Sequence, residues 1–245
     1  MRVLATIEAR MSASRLPGKV MLPLAGVPML ERLVERIRRS RRVDDVVVAT
    51  TVSSPDVIIS DLCNRIGCRV YRGSVEDITS RLMEASAGAD IVVQITGDCP
   101  LIDPAHIDET VRLLIDARAD YASNSLNINT FPLGLDVRCF KAEALRRSAE
   151  LSQDPVDRIH GSYFIYRHPD IFRLAGWDAP ASVNWPELRL TVDEPADFEL
   201  VRRVFETLHP VRPDFDTADI VALLRTKPDW VALNDEVRQK SPLEG

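Results

Sequence analysis

The regular alternation of short apolar runs with amphipathic segments constrains this chain more than any other feature. Four early runs have the apolar, β-branched character of buried parallel strands: residues 2–7, 46–50, 69–71 and 90–95. The segments between them have apolar residues at helical spacing, as in the one opened by Pro28. Strands alternating with helices predict an α/β fold with right-handed crossovers.

After Asp120 the alternation loosens, so the second half of the chain is predicted from shorter signals. We expect strands over residues 136–140, 171–174 and 188–192, and helices over 142–151, from Pro195, and within the tail after residue 216. No repeat or linker divides the chain. We therefore predict one domain over residues 1–245, with 124–187 as an elaboration over the ligand end of the sheet.

Composition excludes several classes of protein. The 245 residues include 31 Lys and Arg against 37 Asp and Glu, a net charge of −6, which argues against a general nucleic-acid binder. No apolar run approaches the roughly 20 residues that a membrane span needs. Glu8 and Arg10 interrupt any signal-peptide hydrophobic region, so we expect a cytoplasmic protein. Reduced thiols are then expected at all four cysteines: Cys63, Cys68, Cys99 and Cys139.

A run of arginines lies on the helix opened by Pro28. Its members are Arg32, Arg36, Arg38 and Arg39. A solvated helix face explains such a run more simply than a nucleic-acid patch, and we adopt that interpretation.

The loop after the first strand has the composition of a phosphate-binding loop. Within residues 9–19 it has three cations, Arg10, Arg15 and Lys19, separated by small residues that allow close backbone approach. It matches neither the dinucleotide fingerprint nor the P-loop. Ligands of open α/β sheets bind beyond the carboxyl ends of the strands, so this loop is placed to bind a polyanion. The alternative is an ordinary solvated loop.

Two carboxylates follow predicted strands. Asp98 comes after the fourth strand, and Asp193 comes after residues 188–192. Mg²⁺ is commonly held by one or two carboxylates together with substrate phosphates. Asp193 could instead be a turn residue before the Pro195 helix. Together with the cationic loop, the two acids indicate Mg²⁺-dependent chemistry on a nucleoside triphosphate.

Several motifs give the chain a resemblance to a known family. They are Arg10-x-x-x-Ser14-Arg15-Leu16-Pro17-Gly18-Lys19, residues 96–104, residues 134–137 and residues 189–195. Over roughly residues 2–205 the sequence resembles the cytidylyltransferases that activate sugar acids, the acylneuraminate and 3-deoxy-manno-octulosonate enzymes. It is most similar to the spore-coat polysaccharide biosynthesis branch. The resemblance implies a Rossmann-like nucleotidyltransferase fold, with a mixed, mostly parallel sheet and helices on both faces.

The resemblance also implies roles for particular residues. Catalysis would involve Arg15, Lys19 and Asp98, and Mg²⁺ would be bound by Asp98 and Asp193. Nucleotide binding would involve Ala9, Arg10, Ser14, Arg15, Lys19, Arg72, Ser80 and Thr96. Acceptor binding would involve Asn124, Asp136, Arg158 and His160, although a surface helix equally explains Arg158 and His160. Relatives are often dimers, so a homodimer is the expected assembly by analogy.

The predicted reaction is transfer of CMP from CTP to a sugar acid, or a related anionic acceptor, with release of pyrophosphate. Two departures from the family pattern concern different substrates. Thr96 stands where sugar-acid enzymes have glutamine, which puts the base or ribose contacts in question. Ile159 stands where the branch has an acidic residue beside His160, which puts the identity of the acceptor in question. Three alternatives stay open: a sugar-1-phosphate nucleotidyltransferase, a nucleotide-sugar glycosyltransferase, and a non-catalytic nucleotide-binding module. Cys99 is interpreted as a packing residue.

Overall fold

The computed structural model describes residues 1–126, 128–152 and 154–239. Its strands are β1 (Val3–Glu8), β2 (Pro23–Leu24), β3 (Val27–Pro28), β4 (Asp45–Thr51), β5 (Arg69–Gly73), β6 (Ile91–Thr96), β7 (Tyr121–Ser123), β8 (Arg138–Lys141) and β9 (Leu174–Gly176). Its α-helices are α1 (Met29–Ile37), α2 (Val57–Arg65), α3 (Ile78–Ala85), α4 (Pro104–Asp116), α5 (Ala142–Leu151), α6 (Pro155–Ile159), α7 (Tyr163–Arg167), α8 (Pro195–Leu208), α9 (Thr217–Arg225) and α10 (Pro228–Val231).

The main sheet has seven strands in the order β5-β4-β1-β6-β8-β7-β9. β5, β4, β1 and β6 pair in parallel, and β8 runs antiparallel to both of its neighbours. From β1 the chain first moves outward to β4 and β5 and then returns to the other side of β1 as β6. Strand order therefore reverses between β1 and β6, which is where open α/β sheets bind ligands.

Helices cover both faces of this sheet. One face packs against apolar side chains of α1, α2, α4, α8 and α9, and the other against those of α3, α5 and α7. The parallel strands are buried on both faces, which explains their nearly continuous apolar sequences. The prediction of a mostly parallel mixed sheet between helices is confirmed. Among the described residues, no helix is both long and apolar enough to cross a bilayer.

Two of the expected strands differ from the structure. Residues 188–192 form no strand, and only an isolated bridge joins Arg189 to Leu133. The segment instead pairs with loops: the amide of Leu190 donates to the Leu133 carbonyl at 2.7 Å, and that of Val192 to the Asp98 carbonyl at 2.8 Å. The strand expected over 171–174 begins only at Leu174, because it pairs with the short β7. Division into one domain with an elaboration over 124–187 stays a prediction.

The interpretation of the α1 arginines as a solvated face is wrong for Arg32 and Arg36. Both are buried. Arg32 donates to the Leu24 and Ala25 carbonyls. Arg36 donates to the Ile102 carbonyl at 2.8 Å, and its guanidinium lies 4.4 Å from the centre of the Phe215 ring. Arg32 thus satisfies carbonyls at the β2–β3 turn and Arg36 a carbonyl of a loop, a role that an apolar/polar pattern does not reveal.

Candidate active site

A cleft of about 310 Å³ lies at the carboxyl ends of β1 and β6. Eight residues predicted to bind nucleotide or metal line it: Ala9, Arg10, Ser14, Arg15, Lys19, Thr96, Asp98 and Asp193. The remaining lining comes from Glu8, Ala13, Val20, Ile78, Arg81 and Gly97. The cleft thus brings together residues from four separate parts of the sequence: residues 8–20, helix α3, residues 96–98 and Asp193.

The loop after β1 folds back on itself and directs Lys19 into the cleft. Gly18 has φ +72°, and its amide donates to the Met11 carbonyl at 2.8 Å. The Met11 amide in turn donates to Asp56 at 2.7 Å, which attaches the loop to the start of α2. A single 3₁₀ turn then begins at Lys19. The left-handed conformation of Gly18 makes this reversal possible.

Lys19 joins the two predicted metal-binding carboxylates. Its Nζ lies 3.1 Å from Oδ2 of Asp98 and 3.0 Å from Oδ1 of Asp193, and it donates to the Val192 carbonyl at 2.7 Å. Only 9% of Lys19 is exposed. One buried ammonium group therefore uses all three of its donors, two of them on carboxylates.

Charge pairing governs the protonation of this cluster. Burial alone would lower the pKa of Lys19, but the charges of Asp98 and Asp193 outweigh it and raise that pKa. Burial alone would raise the pKa of Asp98, but Lys19 and a hydrogen bond from Thr96 outweigh it and lower that pKa. Lys19 and Asp98 are therefore both charged at neutral pH.

Asp193 is oriented from its other side by two arginines. Nη2 of Arg15 lies 2.9 Å from Oδ2 of Asp193, and Nη2 of Arg189 lies 2.7 Å from the same oxygen. The Asp193 amide donates to Asp197, which forms a capping box with Glu194 at the start of α8. Asp193 does precede the Pro195 helix, as the turn-residue alternative held, but its carboxylate faces the cleft.

Gly97 permits β1 and the loop after β6 to approach each other closely. A Cβ at this position would lie 2.7 Å from the carbonyl oxygen of Glu8. The Gly97 amide donates to that carbonyl at 2.8 Å. A larger residue would force the loop that holds Asp98 away from β1.

A second polar group lies on the sheet face under α3 and α7. Gln94 donates to Oε1 of Glu8 at 2.5 Å and accepts a hydrogen bond from Ser162 at 2.7 Å. Burial raises the pKa of Glu8, although Gln94, Arg81 and Arg138 partly oppose the shift. Glu8 also lines the cleft, so this network continues from the loop after β1 into the sheet.

Arg138 stands next to Gln94 across the β6–β8 pair, on the same face of the sheet. Burial acts to lower its pKa, but neighbouring Asp136 and Glu8 contribute to raising it, so the guanidinium remains charged. Burial raises the pKa of Asp136, and Arg138 opposes that shift. Oδ1 of Asp136 is buried and has no hydrogen-bond partner among the described residues. Arg138 is therefore a charged group on this face, and Asp136, which interacts with it electrostatically, has an unsatisfied polar atom.

The structure does not place the remaining predicted site residues in the cleft lining. Arg72 donates to the Thr51 and Ser53 carbonyls, and Ser80 donates to Asp77 at the start of α3. The Asn124 amide group joins the Leu135 carbonyl to the Val137 amide, so it supports the turn before β8. Arg158 pairs with Asp77 at 3.0 Å. The His160 ring lies 5.8 Å from that of Tyr163. Their binding roles stay predictions.

Sequence reasoning missed Glu8 as a cleft residue, whereas the family resemblance already implied that Arg81 borders the nucleotide. Glu8 ends a buried strand, so the rule that identified Asp98 could have found it. Arg81 lies within α3, where it donates to the Ser74 carbonyl and leaves its buried Nε without a partner in the described chain. No spacing rule marks such a residue. Cys99 is buried in the main core, in agreement with a packing role.

The carboxylates of the cleft suit a divalent cation bound together with phosphates. Among the described residues, no group of three His, Cys, Asp or Glu side chains could hold a metal alone. Asp98 and Asp193 nevertheless direct one oxygen each at a single positive group, the Lys19 ammonium. Two carboxylates plus phosphate oxygens are an ordinary donor set for Mg²⁺. The residues present therefore fit this ion.

Known proteins share both sequence and architecture with this chain. The cytidylyltransferase family model matches residues 4–208. The spore coat polysaccharide biosynthesis protein SpsF of Bacillus subtilis is 31% identical over 93% of this chain and 95% of its own length. The 3-deoxy-manno-octulosonate cytidylyltransferase of Geobacter sulfurreducens is 41% identical over 47% of this chain and 46% of that enzyme.

The solved structure of a cytidylyltransferase from Leptospira borgpetersenii superposes with a TM-score of 0.88, at 27% identity, and covers 98% of this chain and 99% of its own. The family match spans the loop that holds Lys19 and the segments that hold Asp98 and Asp193. The chain thus belongs to the cytidylyltransferase family of CTP-dependent nucleotidyltransferases.

Proposed function

We propose that the protein transfers CMP from CTP to a sugar acid or a related anionic acceptor. The main support for this proposal is the contact of Lys19 with Asp98 and Asp193, at the point where the strand order reverses. The names of the SpsF and 3-deoxy-manno-octulosonate relatives support an acceptor used in polysaccharide biosynthesis. A homodimeric assembly is part of the proposal, on analogy with relatives.

The cations of the loop after β1 would bind the triphosphate. Arg10 is exposed at the cleft, whereas Arg15 and Lys19 are held against Asp193. Phosphate oxygens entering the cleft would meet these three positive groups, with Ala13 and Ser14 between them. Bidentate arginine contacts and a compact ammonium charge suit phosphate recognition.

In the proposed reaction an acceptor oxygen bonds to the α-phosphorus of CTP. The bond from that phosphorus to the bridging oxygen breaks, pyrophosphate leaves with its electron pair, and the proton of the acceptor group is lost. Arg15 and Lys19 would stabilise the charge that develops on the phosphates, a contribution that dominates most phosphoryl transfer. A Mg²⁺ ion bound by Asp98 and Asp193 would supply further charge neutralisation at the phosphates.

We place the acceptor on the sheet face next to the loop after β1. Arg138 offers this face a charged guanidinium that can bind a carboxylate or phosphonate. Glu8 and Gln94 offer hydrogen-bonding groups to hydroxyls, and Glu8 lines the cleft. Asp136 interacts electrostatically with Arg138 and has a buried oxygen without a hydrogen-bond partner among the described residues. An anion with several hydroxyl groups matches this combination.

A pyrophosphate-release screen tests the proposal. The protein would be incubated with CTP, Mg²⁺ and a panel of sugar acids and phosphonates, with ATP, GTP and UTP as alternative nucleotides. We expect release with CTP and at least one anionic acceptor, and the CMP adduct in a mass spectrum. Tight CTP binding without release for any acceptor would favour the non-catalytic module instead.

A further inference from the structure

The last described part of the chain returns to the active-site cleft, although it lies beyond residue 208, where the family match ends. After α9, side chains of Trp230, Val231 and Leu233 pack against the main core. Residues 234–239, here called the C-terminal strap, then reach the residues that surround Asp193. The strap makes three contacts there, through Asn234, Arg238 and Gln239.

Asn234 forms the buried end of the strap. Only 4% of it is exposed. Its Nδ2 donates to the Arg189 carbonyl at 3.1 Å and to Oδ1 of Asp197 at 2.8 Å. Asp197 is the residue that caps α8 and accepts the Asp193 amide, so Asn234 stabilises the turn from which Asp193 projects.

Gln239 and Arg238 contact the two arginines that hold Asp193. Oε1 of Gln239 accepts from Nη1 of Arg189 at 2.6 Å, while Nη2 of the same guanidinium contacts Oδ2 of Asp193. The carbonyl of Arg238 accepts from Nη1 of Arg15 at 3.1 Å, while Nη2 of Arg15 contacts that same oxygen of Asp193. Both cations on one side of Asp193 are thereby fixed by the strap.

These contacts have a consequence for the direction of the Asp193 carboxylate. With Oδ2 held by Arg15 and Arg189, Oδ1 is left facing Lys19 and Asp98. A carboxylate that must bind a cation jointly with Asp98 needs this orientation. Mutation of a group that orients a metal ligand commonly lowers metal affinity or activity by about tenfold to hundredfold.

We propose that the C-terminal strap positions Asp193 for divalent-cation binding, through Asn234 on Asp197 and through Gln239 and Arg238 on the two arginines. The proposal rests on the proposed function, in which Asp193 binds the cation. Asn234 and Gln239 are positioning residues, since they act through Asp197 and Arg189.

The test compares Asn234→Leu and Gln239→Ala with wild type. Leucine keeps the size of asparagine but removes its donors, and Gln239 is exposed, so its truncation should leave folding intact. Glu236→Ala, an exposed change in the same strap, is the matched control. Mn²⁺ binding would be measured by electron paramagnetic resonance with CTP present. The Tm of each variant would be measured as a check on folding. The kcat and the KM for CTP would be measured at saturating Mg²⁺.

We expect Asn234→Leu to weaken Mn²⁺ binding and to lower kcat by about tenfold to hundredfold, with little change in the KM for CTP. Gln239→Ala should do the same to a smaller extent, and Glu236→Ala should match wild type. Folded variants with wild-type Mn²⁺ affinity and kcat would overturn the proposal for the strap alone. Wild-type protein that binds no Mn²⁺ with CTP and releases no pyrophosphate would overturn the proposed function as well.

Discussion

The Nζ of Lys19 lies 3.1 Å from Oδ2 of Asp98, although 79 positions separate the two residues in the sequence. Parallel pairing of β1 with β6 produces this contact, because the two strands end side by side and their loops enter the same cleft. Charge pairing then keeps both groups ionised.

Replacement of Lys19 by Met should abolish most of the activity while the chain stays folded. Methionine keeps the apolar stem but removes the charge that we assign to the phosphates. In other enzymes, removal of one hydrogen-bond donor that stabilises negative charge in the transition state lowers kcat by about 10²–10³-fold. We expect a decrease of similar size here. Pyrophosphate release measures the effect, and circular dichroism checks folding. Lys141→Met, which loses only a half-exposed pair with Asp120, is the control. Near-wild-type turnover in Lys19→Met would remove this residue from the mechanism.

Activity should depend on a divalent cation that Asp98 helps to bind. EDTA should stop pyrophosphate release, and added Mg²⁺ should restore it. Asn at position 98 keeps the shape of the side chain but loses its charge, so Asp98→Asn should need more Mg²⁺ for half-maximal activity and should bind Mn²⁺ more weakly. Asp116→Asn, on an exposed part of α4, should behave as wild type. Full activity in EDTA would contradict the assignment.

How far the site could be predicted depends on where each residue lies relative to a strand. Asp98 and the cations of the first loop follow buried strands, and strand ends are visible as changes from apolar to polar sequence. Asp193 was found although residues 188–192 form no strand, because the change from the apolar Leu190 and Val192 to an acidic residue is visible in the sequence in either case.

Other parts could not be predicted, since they depend on long-range contacts. Arg36 is buried because carbonyls of two distant loops need a donor, and its position on α1 gives no sign of that. Asn234 lies in a polar part of the tail, where no sequence pattern predicts a contact with the site. Its two hydrogen bonds to Arg189 and Asp197 arise only when the tail packs beside α8.

Acceptor recognition should respond to Arg138 more than to Arg158. Neither arginine is among the residues that line the cleft. Arg138 lies beside Gln94, which donates a hydrogen bond to the cleft residue Glu8. Arg158 instead pairs with Asp77 at the start of α3. A lost charge-assisted hydrogen bond costs about 1.5–3 kcal/mol. We therefore expect Arg138→Gln to raise the KM for the acceptor by about tenfold or more, with the KM for CTP little changed. Arg158→Ala should have little effect on either constant. The reverse ranking would restore the expectation from sequence.

Substitution of Gly97 by Ala should impair both stability and activity. The new Cβ would meet the Glu8 carbonyl oxygen at 2.7 Å, and this backbone atom cannot move without distorting the end of β1. Overpacking of this kind costs about 1–3 kcal/mol. Urea unfolding measures the loss. Gly176→Ala, whose Cβ would first meet Leu126 at 3.1 Å, should be less costly. Equal unfolding free energies for Gly97→Ala and wild type would show that the end of β1 can move to accommodate the new Cβ without loss of stability.

The raised pKa of Glu8 should appear in the dependence of stability on pH. Burial raises this pKa above its ordinary value of 4.5, so the folded chain retains a proton that the unfolded chain has released. The free energy of unfolding should therefore decrease as pH rises from about 4.5 through the folded-state pKa. Glu8→Gln can still accept the hydrogen bond from Gln94 but does not titrate. The free energy of unfolding of Glu8→Gln, relative to that of wild type, should therefore increase as pH rises through the folded-state pKa of Glu8 and then level off.

Urea unfolding at a series of pH values measures both curves. Glu150→Gln, an exposed change on α5, controls for the loss of one carboxylate. The difference between Glu8→Gln and wild type has a definite sign, because burial disfavours the charged carboxylate relative to its protonated form, whereas an amide does not titrate. If the two curves ran parallel from pH 4 to pH 8, Glu8 would titrate alike in the folded and unfolded chains. The polar network of Glu8 and Gln94 would then be exposed to water rather than buried in the protein.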